Sequence, residues 1–280
     1  MPRRTSAFRL LTRLPRRWVL AVDRAARRHR ALVRALGPAR SWLRRGAARI
    51  PAGPAEGLLL SLAYLPVSHS QARPLARGVL EPPVQQALEC VIEPGHVVYD
   101  IGANVGFFSL LAARLAGATG RVVAVEPAPQ CAAAVRANAD LNGLATITVL
   151  EVAAGATAHR ERLWVVADQS WSHLESRGRH PDAIAAVETE VVVLDELVAS
   201  GELPPPDVVK LDIEGSELEA LAGMRATIAT HRPVLVCEVH DTNAAVADLL
   251  DELDYCSEVL DGPGPLREAD VNAHVLARPR

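Results

Sequence analysis

Aromatic residues make up only 4% of this 280-residue chain, too few for the stacking platforms that bind single-stranded nucleic acid. The four cysteines (Cys90, Cys131, Cys237 and Cys256) form no C-x-x-C pair and no Cys/His spacing of a zinc site. Buried free thiols in a reducing compartment are therefore expected. No apolar run reaches the roughly 18–20 residues that cross a bilayer. The best candidate, Gly57 to Gln71, is short and broken by Pro66. No secretory signal is expected either, because arginine returns every few residues through the basic start. The expected location is cytoplasmic. Charged residues at 22% and apolar residues at 49% exclude wholesale disorder and supply a sizeable core.

The net charge of −3 conceals a division. Residues 1–50 hold fifteen arginines against one acid, Asp23, a charge of +14, so the remaining 230 residues carry −17. Lys210 is the only lysine. Leu11, Leu14, Trp18 and Val22 recur at helical spacing with arginines between them, which suits peripheral contact with an anionic membrane or an acidic partner. Pro15 interrupts that stripe, so a solvated arginine-rich tail is the competing reading. Residues 51–93 hold six prolines and read as a linker that becomes a short helix, Val84 to Val91. The remainder, 94–280, is the chemical domain.

From residue 95 strand and helix signals alternate. Strands are expected at His96–Ile101, Arg121–Glu126, Ile147–Val152, Asp207–Ile213 and Pro233–Val239. Helices are expected at Asn104–Leu115, Gln130–Asn142, Ser216–Thr230 and Asn243–Leu253. An edge or hairpin strand at Leu163–Ala167, an extended Glu188–Val193 and two closing strands, Tyr255–Val259 and Ala273–Ala277, complete the pattern. This alternation argues for an α/β, Rossmann-like sheet, mostly parallel and covered by helices on both faces.

The strongest motif runs Val98-Tyr99-Asp100-Ile101-Gly102-Ala103-Asn104-Val105-Gly106. An apolar strand enters a glycine-bearing turn and then a helix, so the turn faces the crevice beyond the strand ends. Gly102 and Gly106 would let the backbone approach a ligand. The pattern is not the dinucleotide G-x-G-x-x-G, because Asn104 replaces a glycine and Asp100 would repel a pyrophosphate. That acid suits an amino-acid ammonium instead. Twenty residues after Gly106, Glu126 can accept ribose hydroxyls at the end of the second strand. Together these describe S-adenosylmethionine.

A second motif, Lys210-Leu211-Asp212-Ile213-Glu214-Gly215, places three charges on alternate strand positions at the same sheet edge. Such charges need partners or a site, and a structural Lys210–Asp212 ion pair is the plain alternative. Glu238 and His240 reach that edge from the next strand. No spacing reads as a metal cluster, although Asp212, Glu214 and Glu238 could offer oxygens to a weakly held Mg²⁺.

The turn motif, Glu126, the Lys210–Gly215 element and Glu238-Val239-His240 together resemble the FkbM-type family of S-adenosylmethionine-dependent methyltransferases, over roughly residues 85–260. The resemblance implies a seven-stranded class I methyltransferase sheet whose last strand is antiparallel. It also implies cofactor contacts for Asp100, Gly102, Asn104, Gly106 and Glu126, with substrate-side roles for Lys210, Asp212 and Glu214. The Arg-rich residues 1–50 match nothing in the family pattern, and the stretch 168–181, with Ser170, Ser172 and His173, falls in a variable loop. The function expected is O-methylation of a hydroxyl on a small molecule or glycan by in-line transfer, with a carboxylate or imidazole as base. Asp212 is the first choice of base, with Glu214 and His240 as alternatives and Lys210 holding Asp212 ionised. N-methylation and a non-catalytic binding protein tethered by its basic arm are the competing functions. Nucleic acid is disfavoured, because the acidic remainder would repel phosphate.

Overall fold

The computed structural model describes residues 46–64, 74–75, 77–166, 173–178 and 183–280. The expectations for residues 1–45, Pro66, Ser170 and Ser172 lie outside these. Two short strands, β1 (Ala47–Arg49) and β2 (Leu59–Ser61), pair antiparallel ahead of helix α1 (Pro82–Val91). There follow β3 (Val97–Ile101), α2 (Phe107–Ala116), β4 (Arg121–Val125), α3 (Pro129–Asn142) and β5 (Ile147–Leu150). Next come β6 (Ala153–Ala154), β7 (His159–Val166), β8 (His173–Leu174), β9 (Ala183–Val192) and α4 (Leu194–Ala199). The chain continues through β10 (Val208–Leu211), α5 (Glu217–Ala222), α6 (Arg225–His231) and β11 (Val234–His240). Helix α7 (Asn243–Glu252), β12 (Tyr255–Val259) and β13 (Asn272–Pro279) complete it.

Seven strands form one sheet in the order β12-β13-β11-β10-β3-β4-β5. Neighbours from β11 to β5 run parallel, whereas β13 lies antiparallel to both β11 and β12. Strand alternation sorts the core onto two faces. Tyr99, Ile101, Val209 and Leu211 pack with the side bearing Leu194, Leu221, Ile228 and Leu250. Val98, Val122, Val208 and Val236 meet Leu88, Leu110 and Leu111 on the other side. Each fully buried Leu or Ile contributes about 1.5–3 kcal/mol, so both layers hold the central strands and fix their carboxyl ends. This is the seven-stranded, mostly parallel architecture expected. Among the described residues no helix is long and apolar enough to cross a membrane.

Several local expectations are corrected. Strand β10 ends at Leu211, so Asp212 and Glu214 stand on the following loop, and Glu214 takes a left-handed φ of 56°. The helix expected over Ser216–Thr230 is two helices, broken at Gly223-Met224. There a Cβ on Gly223 would come within 2.0 Å of Gly155 O, and the Gly223 carbonyl accepts the Asp195 N–H. The Asp195 carboxylate takes the N–H groups of Ala226 and Thr227 at 2.9 and 2.7 Å, capping α6 from another helix. Helix α2 starts at Phe107 rather than Asn104, since Asn104 and Gly106 have φ of 50° and 85°. The expected edge strand is longer: β7 pairs with β9 and β8 in a separate four-stranded sheet beside the cleft.

Part of the expected linker is docked structure. The β1–β2 hairpin buries Ile50 and Leu60 and is clipped to α3. Asn142 Oδ1 accepts the Leu59 N–H and Asn138 Oδ1 accepts the Ser61 N–H, each at 2.8 Å. An amide side chain can satisfy a strand edge in this way because it carries both a donor and an acceptor.

Candidate active site

A cavity of about 390 Å³ opens beyond the carboxyl ends of β3, β4, β10 and β11. Its floor is the turn Gly102–Val105, and Glu126, Lys210, Asp212, Glu214, Glu238 and His240 line it. Leu163 and Leu174, from the smaller sheet, add apolar wall that the sequence reading did not assign.

Glu126 is almost fully buried, yet both of its oxygens are held. Oε2 accepts the Asn104 N–H and Oε1 the Ala128 N–H, each at 2.8 Å. Burial pushes its carboxyl up to about 7 against those two bonds. One lone pair on each oxygen remains, which fits a diol such as the ribose of S-adenosylmethionine. The two turn glycines have a packing reason of their own. With φ of 82° and 85°, a Cβ on Gly102 would stand 1.7 Å from Asp212 O, and one on Gly106 3.1 Å from Val135. Gly102 and Asn104 line the cavity, whereas Asp100 and Gly106 stand one layer behind it.

Asp100 and Lys210 are register partners on β3 and β10. The Lys210 ammonium is 3.5 Å from Asp100 Oδ1, donates to Asp212 Oδ2 and Gly102 O at 3.3 Å, and lies 5.1 Å from the Phe108 ring. Burial alone would lower its pKa, but Asp212, Asp100 and Glu81 hold it above its usual range. Asp100 Oδ2 accepts a short hydrogen bond from Ser109 Oγ. The ion pair weighed from sequence is thus present, widened to a carboxylate on each side of one lysine. Burial raises the Asp212 carboxyl and Lys210 opposes that rise.

His240 is enclosed by acids. Its Nδ1 donates to Glu217 Oε1 at 2.9 Å, while Nε2 lies 3.3 Å from Glu238 and 3.7 Å from Glu214. Burial opposes its charge, yet the hydrogen bonds to Glu217 and Glu238 push it up to about 11. Glu217, fully buried, also accepts the Gly215 N–H at 2.8 Å. The sequence reading gives this residue no role. An acid directly after Gly215-Ser216, at the start of an expected helix, is the signal the sequence offers. Glu214, raised by burial and by Asp212 to about 8, completes this group. Glu81 and His274, from outside the motifs, also approach the cleft beside Glu238, and no local spacing announces them.

A model of the methyltransferase FkbM domain matches residues 100–260, which include the turn, Glu126, the Lys210 element and His240. The chain is 30% identical over 190 residues to the 31-O-demethyl-FK506 methyltransferase FkbM of Streptomyces tacrolimicus, covering 57% of this chain and 71% of that protein. It is 32% identical over 151 residues to the hexuronic acid methyltransferase AglP of Haloferax volcanii, covering 53% of this chain and 57% of that one. A solved FkbM methyltransferase from Methylobacillus flagellatus superposes with a TM-score of 0.46 at 19% identity, over 72% of this chain and 54% of that one. With the family domain spanning more than half of its length and a relative matched over most of its own, this chain belongs to the FkbM family of S-adenosylmethionine-dependent methyltransferases.

Proposed function

We propose that the protein methylates a hydroxyl of a small molecule or glycan, with Asp212 removing the hydroxyl proton. One relative is named for a 31-O-demethylated compound and the other for hexuronic acid, which supports an oxygen acceptor. The observation that carries the base assignment is the tether between Asp212 and the cofactor turn. The Asp212 N–H donates to Ile101 O at 3.0 Å, and its carbonyl packs where a Gly102 Cβ would be. These contacts hold the Asp212 backbone against the turn that would hold the methyl donor, and Lys210 ties the Asp212 carboxylate to the same turn through Gly102 O. Alignment supplies much of the rate in a displacement.

S-adenosylmethionine supplies an electrophilic methyl group on sulfur. In this reading Gly102, Asn104 and Glu126 contact it directly. Asp100 and Gly106 act from behind, the first by neutralising Lys210 and the second by letting the turn pack on α3. Lys210 holds Asp212 in place. His240 is a positioning group rather than the base, because Nδ1 is committed to Glu217 and Nε2 sits between Glu238 and Glu214.

Labelled S-adenosylmethionine with fractionated extract as acceptor source tests this. Asp212→Asn should lower turnover about 10²–10⁴-fold while S-adenosylhomocysteine affinity changes little. Near-normal turnover would pass the role to Glu214.

A further inference from the structure

Glu81, Glu238 and His274 come from three separate parts of the chain: the loop before α1, strand β11 and strand β13. Glu238 and His274 are cross-strand register partners. His274 Nε2 lies 3.5 Å from Glu238 Oε2 and 3.8 Å from Glu81 Oε2. These are ion-pair separations, longer than a good hydrogen bond, and both His274 Nε2 and Glu81 Oε2 are shut off from solvent with no well-formed hydrogen bond. An imidazole nitrogen and two carboxylates loosely grouped in this way leave room for a cation among them. Nitrogen and oxygen ligands bound at about 2.0–2.2 Å to one cation, at near-tetrahedral angles, stand roughly 3.3–3.6 Å apart, close to the two separations found here.

The far side of the imidazole is arranged to match. His274 Nδ1 is 2.8 Å from Asp261 Oδ2, and the His274 N–H also reaches Asp261 at 3.3 Å. A carboxylate on Nδ1 fixes the tautomer that leaves the Nε2 lone pair free for a metal and raises its basicity. The same relation recurs nearby, where Glu217 holds His240 Nδ1 and Asp212, Glu238 and His240 form a second trio around the shared Glu238.

We propose that Glu81, Glu238 and His274 bind a divalent first-row transition-metal ion, with Asp261 positioning the histidine. One imidazole with two carboxylates suits Mn²⁺ or Zn²⁺ better than Mg²⁺ or Ca²⁺, which take oxygen ligands alone. Glu81 and Glu238 also line the cleft. A cation held there would act as a Lewis acid on an acceptor oxygen; this role rests on the proposed O-methylation, whereas occupancy of the site does not.

The test uses the full chain, stripped with chelator and titrated with Mn²⁺ by electron paramagnetic resonance and with Zn²⁺ by calorimetry. The expected result is saturable binding of one ion per chain. Glu81→Gln, nearly isosteric, should weaken it by at least tenfold, and Asp261→Asn by about 10–100-fold, the usual effect of removing a histidine's carboxylate partner. S-adenosylhomocysteine affinity should stay within twofold in both variants. Absence of saturable binding by either ion overturns the proposal. So does stoichiometric binding that both substitutions leave unchanged, because the ion then sits elsewhere. If one variant melts early, the other decides. Failure of the O-methylation reading would appear in turnover and leave these titrations unaffected.

Discussion

Burial raises the Glu126 carboxyl to about 7, so its charge changes near neutral pH. The ionised form accepts hydroxyl donors; the neutral form gives up acceptor capacity. S-adenosylhomocysteine affinity should therefore fall as pH drops through about 7. Glu126→Gln should remove most of that dependence and, by losing a charge-assisted bond, weaken binding at pH 8 by about 1.5 kcal/mol or more. Calorimetry across pH 6–8 checks both. The sign for folding is opposite. A carboxyl raised in the folded state favours folding fully below its unfolded value, about 4.5, and loses that contribution as pH rises through about 7. A pH-independent affinity would mean that Glu126 is not a ribose ligand.

Among the elements, the paired helices α5 and α6 show how one side chain replaces a missing local cap. Helix α6 has no side-chain cap of its own, and Asp195 from α4 receives two of its first amides. Asp195→Ala should destabilise the fold by about 1 kcal/mol, with Asp195→Asn intermediate, as read from thermal or denaturant unfolding. An unchanged midpoint in Asp195→Ala would show that those amides find water instead. This break explains where sequence reading stopped. Strands and helices with strong apolar periodicity were legible, as were the turn motif, Glu126 and Lys210, because each is written in contiguous residues. The split at Gly223 was not legible, since its cause is the distant Gly155 carbonyl. Nor was the end of β10 at Leu211, because alternation in Lys210-Leu211-Asp212-Ile213-Glu214 continues past the last ladder bond. His274 reaches Glu238 only because β13 pairs with β11, and Glu81 joins them from the loop before α1, both of which are long-range information.

For the whole molecule, residues 1–50 carry +14 and the remainder −17. Basic residues near an anionic surface contribute about 1 kcal/mol each, so a few engaged arginines suffice for peripheral binding at low salt. Because the β1–β2 hairpin docks on α3, the informative deletion is residues 1–45 rather than 1–50, which would remove the buried Ile50. Salt-sensitive sedimentation with anionic vesicles should vanish on that deletion, with methyl transfer retained. Equal sedimentation of both forms would remove the membrane reading. The sheet order carries a consequence for biosynthesis. Strand β13 lies between β11 and β12 although it follows both in the chain. While the ribosome is still delivering residues 272–279, β11 shows an open edge and β12 has no ladder partner at all. Until β13 has emerged, the nascent protein thus offers one open sheet edge and one unpaired strand, both aggregation-prone and both a surface for a holdase chaperone.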